Sequence, residues 1–91
     1  MDLKNILEIL VKGIVQTEDE VAIEETEGQI LHVYGDSALK KTAVHFKIKV
    51  KREEFSLLVG KGGSTIKSLR VVMSKLAGKQ KKMAFVDLDE E

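Results

Sequence analysis

Cysteine is absent from the 91-residue chain, which excludes a disulfide framework and every thiolate metal site. Proline is absent too, and no low-complexity segment or internal repeat divides the chain. Tryptophan is missing, and three Phe and one Tyr leave base stacking on exposed rings a weak feature. No apolar run approaches the ~20 residues of a membrane span, and the opening MDLKNILEIL is too charged and too short for a span or a signal peptide. A cytoplasmic setting without membrane association is therefore expected. Net charge is zero, which argues against a generic polyanion binder.

The charges that are present are segregated. Residues 1–45 hold four Lys and nine Asp/Glu, whereas residues 46–91 hold eleven Lys/Arg and six Asp/Glu. Between residues 47 and 82 the eleven basic residues meet only Glu53 and Glu54. Such asymmetry points to a polyanion-facing half; a basic face merely solvated and balanced by an acidic one is the blander alternative.

The length suits one domain with a two-layer core. Leu3, Ile6, Leu7, Leu10 and Ile14 recur at three- and four-residue steps, which predicts an amphipathic helix over about 2–16 with Asp2 as N-cap. The run 17-TEDE-20 reads as a turn and 20-EVAIEETE-27 as a strand. Gly28 interrupts, and 30-ILHVY-34 either continues that strand past a bulge or forms another. Residues 35–41 read as turn or loop. Residues 42–51 alternate cleanly, with Val44, Phe46, Ile48 and Val50 on one face and His45, Lys47, Lys49 and Lys51 on the other, implying a half-buried antiparallel sheet. A short helix over 53–59 would close at Gly60 in the left-handed conformation. Ile66, Leu69, Met73, Leu76 and Ala77 mark a helix over about 64–77, ended by Gly78. A basic turn, 79-KQKK-82, precedes a last strand, 83-MAFVDL-88, and an acidic tail, 89-DEE-91. The fold class is α+β, with helices on one face of a three-stranded sheet.

One stretch is dense in chemistry: 58-LVGKGGSTIKSLR-70. It fails as a P-loop, because Lys61 precedes glycine rather than Ser or Thr and no glycine lies five residues before Gly60. It also fails as a dinucleotide fingerprint, because the sixth position is Thr65 and a helix precedes it. What remains is helix, GKGG turn, helix. Glycines lacking Cβ let a sugar–phosphate backbone approach the main chain, the amides opening the second helix favour phosphate, and Lys61 adds charge. Lys67 and Arg70 lie three apart on one side of that helix. Lys47, Lys49 and Lys51 face away from the helices, and Lys79, Lys81 and Lys82 act by long-range attraction. No nucleophile–base–orienter set can be assembled from Ser56, Ser64, Ser68 and Ser74 with Glu53 and Glu54, so no enzyme, catalytic residue or cofactor is expected. His32 and His45 are isolated, so no metal site is expected.

The run V-G-K-G-G-S-T-I-K-S-L-R resembles the signature of the small bacterial single-KH-domain proteins, roughly I-G-K-x-G-R-T-A-R-A-L-R. Gly60 and Gly63 match the two fixed glycines, and Lys61 and Gly62 match the variable positions between them. Thr65, Leu69 and Arg70 match directly, and Lys67 stands where that family carries a basic residue. The opening helix, with LVKGIV at 10–15 and an acidic turn after it, is also similar.

The resemblance implies a type II KH fold of order α-β-β-α-α-β over residues 1–91. It also implies a non-catalytic role as an RNA chaperone or post-transcriptional regulator that binds single-stranded RNA. Gly60, Lys61, Gly62, Gly63, Ser64, Thr65, Lys67 and Arg70 are its candidate RNA-binding residues, the GxxG loop clamping four backbone nucleotides. The family further implies a homodimer or a complex with a larger KH-containing protein, so a protein assembly module with secondary RNA binding is the alternative. Two departures stand out. Ser64 replaces the family's usual arginine, and residues 29–41 look like an insertion that would lengthen a hairpin, add an edge strand or serve a partner.

Overall fold

Asp2 opens the first helix, α1 (Leu3–Lys12), by accepting a hydrogen bond from the Asn5 amide at 2.8 Å. The computed structural model describes residues 2–90, with the side chains of Glu18, His32 and Glu90 outside that description. The helix ends at Gly13, sooner than its apolar spacing predicts, and Ile14 and Val15 carry the same face into the following loop. Leu3, Leu7 and Val11 form the buried line of α1, with Ile6 and Leu10 flanking it. A 3-10 turn at Glu18–Glu20 then leads into the sheet.

β1 (Ala22–Tyr34) and β2 (Ser37–Val50) form one antiparallel hairpin. Their register runs unbroken from Ala22↔Lys49 to Tyr34↔Ser37. Gly28 therefore neither interrupts the strand nor marks a bulge, and of residues 35–41 only Gly35 and Asp36 form the turn. Gly35 takes φ 55 at the first central position of this two-residue turn, where a glycine is favoured. Local composition favours a loop at 37–41; cross-strand pairing with Leu31, Val33 and their neighbours overrides it.

α2 (Arg52–Val59), a 3-10 turn (Lys61–Gly63) and α3 (Ser64–Lys79) follow, and β3 (Lys82–Glu90) completes the sheet. β2 lies in the centre, and β3 pairs parallel to it from Thr42↔Lys82 to Val50↔Glu90. The sheet is thus mixed, which corrects the antiparallel expectation. Parallel neighbours require a long crossover, and α2 and α3 supply it. α3 runs past Gly78 to Lys79, and the turn narrows to Gln80 and Lys81, the latter at φ 60. Asp89 and Glu90 belong to β3 rather than to a free tail, and Glu91 lies outside the described residues.

The helices cover one face of the sheet. Val44, Phe46, Ile48 and Val50 of β2 pack with Leu7, Val11, Leu58, Ile66, Leu69, Met73, Ala77 and Val86. A fully buried Leu, Ile or Phe contributes about 1.5–3 kcal/mol, so this face holds the layers together. Past Thr42 and Lys82, β1 and β2 continue without β3 as a two-stranded ribbon. Fourteen residues at about 3.3 Å each give β2 a span of roughly 46 Å. This explains a molecule measuring 47 × 28 × 21 Å. The ribbon exposes Leu31, Val33, Tyr34 and Leu39.

Candidate nucleic-acid interface

The GKGG turn is built from three backbone conformations that side-chain-bearing residues rarely adopt. Gly60 has φ 75 and ψ 173, Gly62 has φ 62 and ψ 21, and Gly63 has φ 79 and ψ 14. Gly60 closes α2 through its amide, bonded to the Ser56 carbonyl at 2.9 Å, but in an extended positive-φ conformation rather than the left-handed one expected. The Gly63 amide then bonds the Gly60 carbonyl at 3.2 Å. Thr65 is half-buried directly behind Gly60: a Cβ there would collide with the Thr65 hydroxyl oxygen. Gly62 is different, since nothing lies within 4 Å of where its Cβ would project. One glycine is required by space as well as by conformation, and the other by conformation alone.

α3 begins immediately after this turn. Its N-cap is Gly63, so no side chain caps its first turn. A 16-residue helix presents its dipole at that end, and its first-turn amides point toward an incoming anion. Lys61 and Gly62 at the tip are exposed, and so is Ser64. The Ser64 carbonyl accepts from the Ser68 hydroxyl at 3.0 Å. The Lys67 stem passes beside Gly63, its Cε 3.8 Å from a Cβ placed there. Gly63, Lys67, Arg70 and Ser74 follow one another at three- and four-residue steps, so they share a flank of α3.

That flank borders the free edge of β3. Arg70 Nε donates to the Val86 carbonyl at 2.9 Å, and its terminal nitrogen is 3.7 Å from Asp87 Oδ1. Arg70 therefore lies at the lip of a groove rather than projecting freely. The groove is a cleft of 490 Å³ lined by Arg70 and Ser74 from α3, residues 82–87 of β3, and His45. The expected residues thus divide into a tip (Gly60–Ser64), a support (Thr65) and a flank (Lys67, Arg70).

Several features escape sequence reasoning. The β3 edge and Ser74 line the cleft without any motif to mark them. His45 stacks on Phe85, with ring centroids 4.7 Å apart and planes 19° apart. Only the parallel register places those two residues side by side. Glu54, a carboxylate that nothing in the sequence orients, is buried and accepts hydrogen bonds from the amides of Gln16 and Thr17. It thereby ties the loop after α1 to the helix that delivers Gly60. The sheet lysines are engaged elsewhere: Lys49 meets Glu24 at 2.7 Å and Lys51 meets Glu20 at 2.6 Å. The Lys49 ammonium, donating to Glu24, holds that carboxyl below its usual range, and Glu20 holds Lys51 above its usual range. Among the described residues, no cluster of three metal-ligating side chains occurs, and no helix is long and apolar enough to cross a membrane.

A helix–GKGG–helix turn set in an α-β-β-α-α-β chain with a mixed three-stranded sheet defines a type II KH domain. The family model of the KhpA/KhpB KH domain matches residues 4–88, and the chain belongs to that family. The RNA-binding protein KhpA of Thermotoga maritima is 32% identical over 81 residues, covering 89% of this chain and 92% of the relative. The RNA-binding protein KhpA of Clostridium acetobutylicum is 27% identical over 86 residues, covering 94% and 99%.

Proposed function

We propose that this chain is a non-catalytic, cytoplasmic RNA-binding protein, an RNA chaperone or post-transcriptional regulator, that clamps the backbone of single-stranded RNA. The observation that carries the reading is the GKGG turn at the uncapped start of α3, with Lys61 exposed at its tip. Phosphates would lie against Lys61, the loop amides and the first turn of α3, with Lys67 alongside. Bases would lie in the cleft between α3 and β3. Residues 1–91 act as one KH domain, with 29–41 a family-atypical extension of its hairpin.

Few phosphates are neutralised by such a clamp. Two or three contacts at about 0.7 each give a log–log salt slope of about −1.4 to −2.1. The decisive variant is Lys61→Asp with Gly62→Asp. Both positions are exposed, the space at Gly62 is open, and Asp is among the residues that best tolerate its left-handed φ. Loss of RNA binding by a folded double variant is the expected result. Parent-like binding by that variant would refute the clamp.

A second reading, an assembly module that pairs with itself or with a larger KH-containing protein, rests on the exposed Leu31, Val33, Tyr34 and Leu39 of the ribbon. Sedimentation discriminates: a concentration-independent monomer that binds RNA unaided removes the need for it.

A further inference from the structure

The exposed ring of Phe85 is the feature that the backbone clamp leaves unused. Phe85 is 38% exposed on the side of β3 away from the helices, since its neighbour Val86 faces the core. A single exposed aromatic is ordinary in itself. This one differs in three respects. His45 on the central strand covers one face of the ring at 4.7 Å and 19°, holding its plane in a fixed orientation. The ring lines the same 490 Å³ cleft as Arg70 and Ser74, so the cleft bends over the β3 edge from the α3 flank to the far side of the sheet. Arg70, where the cleft meets α3, lies seven residues along the helix from Gly63, about 10 Å at 1.5 Å per residue. The cleft also carries Arg70 and Lys82 against the single acid Asp87, a balance that suits a polyanion.

We propose that Phe85, backed by His45, is a base-stacking position: a nucleobase of the bound single strand lies on the ring face that His45 leaves uncovered. Base–aromatic stacking tolerates any base, because every base has a π-face. The position would therefore add affinity and a preference for the more strongly stacking purines, whereas the loop reads only the backbone. Arg70, anchored at the adjacent Val86 carbonyl, lines the same cleft. The inference rests on the RNA-binding reading above and adds to it a place for one base.

The chain contains no tryptophan, so Phe85→Trp introduces a single indole at this position. The probe is a 5′-fluorescein random twelve-nucleotide RNA at low salt, with binding read by anisotropy. An unlabelled pool of the same RNA is used for the tryptophan titration. Indole emission should be quenched in step with binding. Phe85→Leu, which keeps an apolar side chain on the strand, should bind the labelled RNA about 5- to 150-fold more weakly, with a circular dichroism spectrum like the parent's.

If the parent does not bind the RNA, the clamp and this inference fall together. Suppose instead that the parent binds and the Lys61→Asp/Gly62→Asp variant does not. If Phe85→Leu then binds like the parent and the indole emission of Phe85→Trp is unchanged by RNA, the clamp stands and the stacking position is refuted. If Phe85→Leu changes self-association in sedimentation but leaves RNA binding intact, the ring belongs to a protein contact and the proposal is overturned.

Discussion

Replacing Gly60 by alanine tests the architecture of the turn most directly. On this backbone the new Cβ would collide with the Thr65 hydroxyl oxygen and lie 2.8 Å from both the Thr65 Cβ and its amide nitrogen. Rotating the Thr65 side chain removes only the first contact, because Cβ and the amide move only with the backbone. Gly60 also sits at φ 75 and ψ 173, a region essentially reserved for glycine. Occupying it costs another residue about 1–3 kcal/mol. Forcing an extra methyl against fixed neighbours adds about 1–3 kcal/mol. Together these give a loss of roughly 2–6 kcal/mol, a large share of the ~5–14 kcal/mol available to a chain of this size.

Gly62→Ala supplies the control. Its Cβ meets nothing within 4 Å, so only the left-handed backbone cost of about 1–2 kcal/mol remains. The assay is urea unfolding followed by circular dichroism, with equal m-values confirming that midpoint shifts report stability. In thermal unfolding, Gly60→Ala should lower the midpoint by on the order of 10–30 °C, clearly more than Gly62→Ala. Thr65→Ala should not rescue Gly60→Ala, because the two contacts at 2.8 Å survive. If the two glycine variants were equally stable, Thr65 would not fix the turn and the reasoning would be wrong.

Two further outcomes are expected. Glu54→Ala should destabilise the chain by about 2–4 kcal/mol, since it strips a buried acceptor from the amides of Gln16 and Thr17; an unchanged urea midpoint would show that water replaces the carboxylate without cost. The Glu24 carboxyl is held below its ordinary value of 4.5 by Lys49, so its contribution is present above that pH and is lost as pH falls through the lowered folded value. Urea midpoints of the parent at low salt should therefore fall below pH 4.5 more steeply than those of Lys49→Met, and 1 M salt should erase the difference.

The parts of this fold that are legible from sequence are those set by local chemistry. Asp2 capping α1, the alternation of Val44, Phe46, Ile48 and Val50, and the GKGG turn all depend on residues within a few positions of one another. The left-handed expectation at Gly60 fails because the packing of Thr65, five residues on, selects an extended positive-φ conformation instead. The long ribbon is illegible at 37–41 because those residues are strand only by virtue of partners at 30–34. The parallel direction of β3 depends on the crossover through α2 and α3, and no pattern within residues 83–88 encodes it. His45 against Phe85, forty residues apart, is hidden for the same reason.

Zero net charge is the strongest compositional argument against a polyanion partner, but the structure distributes that charge unevenly. Two acids of the first half pair away from the candidate interface. Glu20 and Glu24 approach the sheet through the loop after α1 and through β1, and there they pair with Lys51 and Lys49. Among the described residues, by contrast, Lys61 and Lys67 have no carboxylate within ion-pair distance. Neutralisation thus falls on Lys49 and Lys51, while Lys61 at the turn and Lys67 on the flank keep their charge and Arg70 shares its own with Asp87. A polyanion senses the potential within about a Debye length, ~8–10 Å at ordinary salt, rather than the sum over the chain. Folding leaves a neutral chain with a locally basic turn, and under the proposed clamp, moving Glu24 or Glu20 onto the α3 flank should weaken RNA binding without altering net charge.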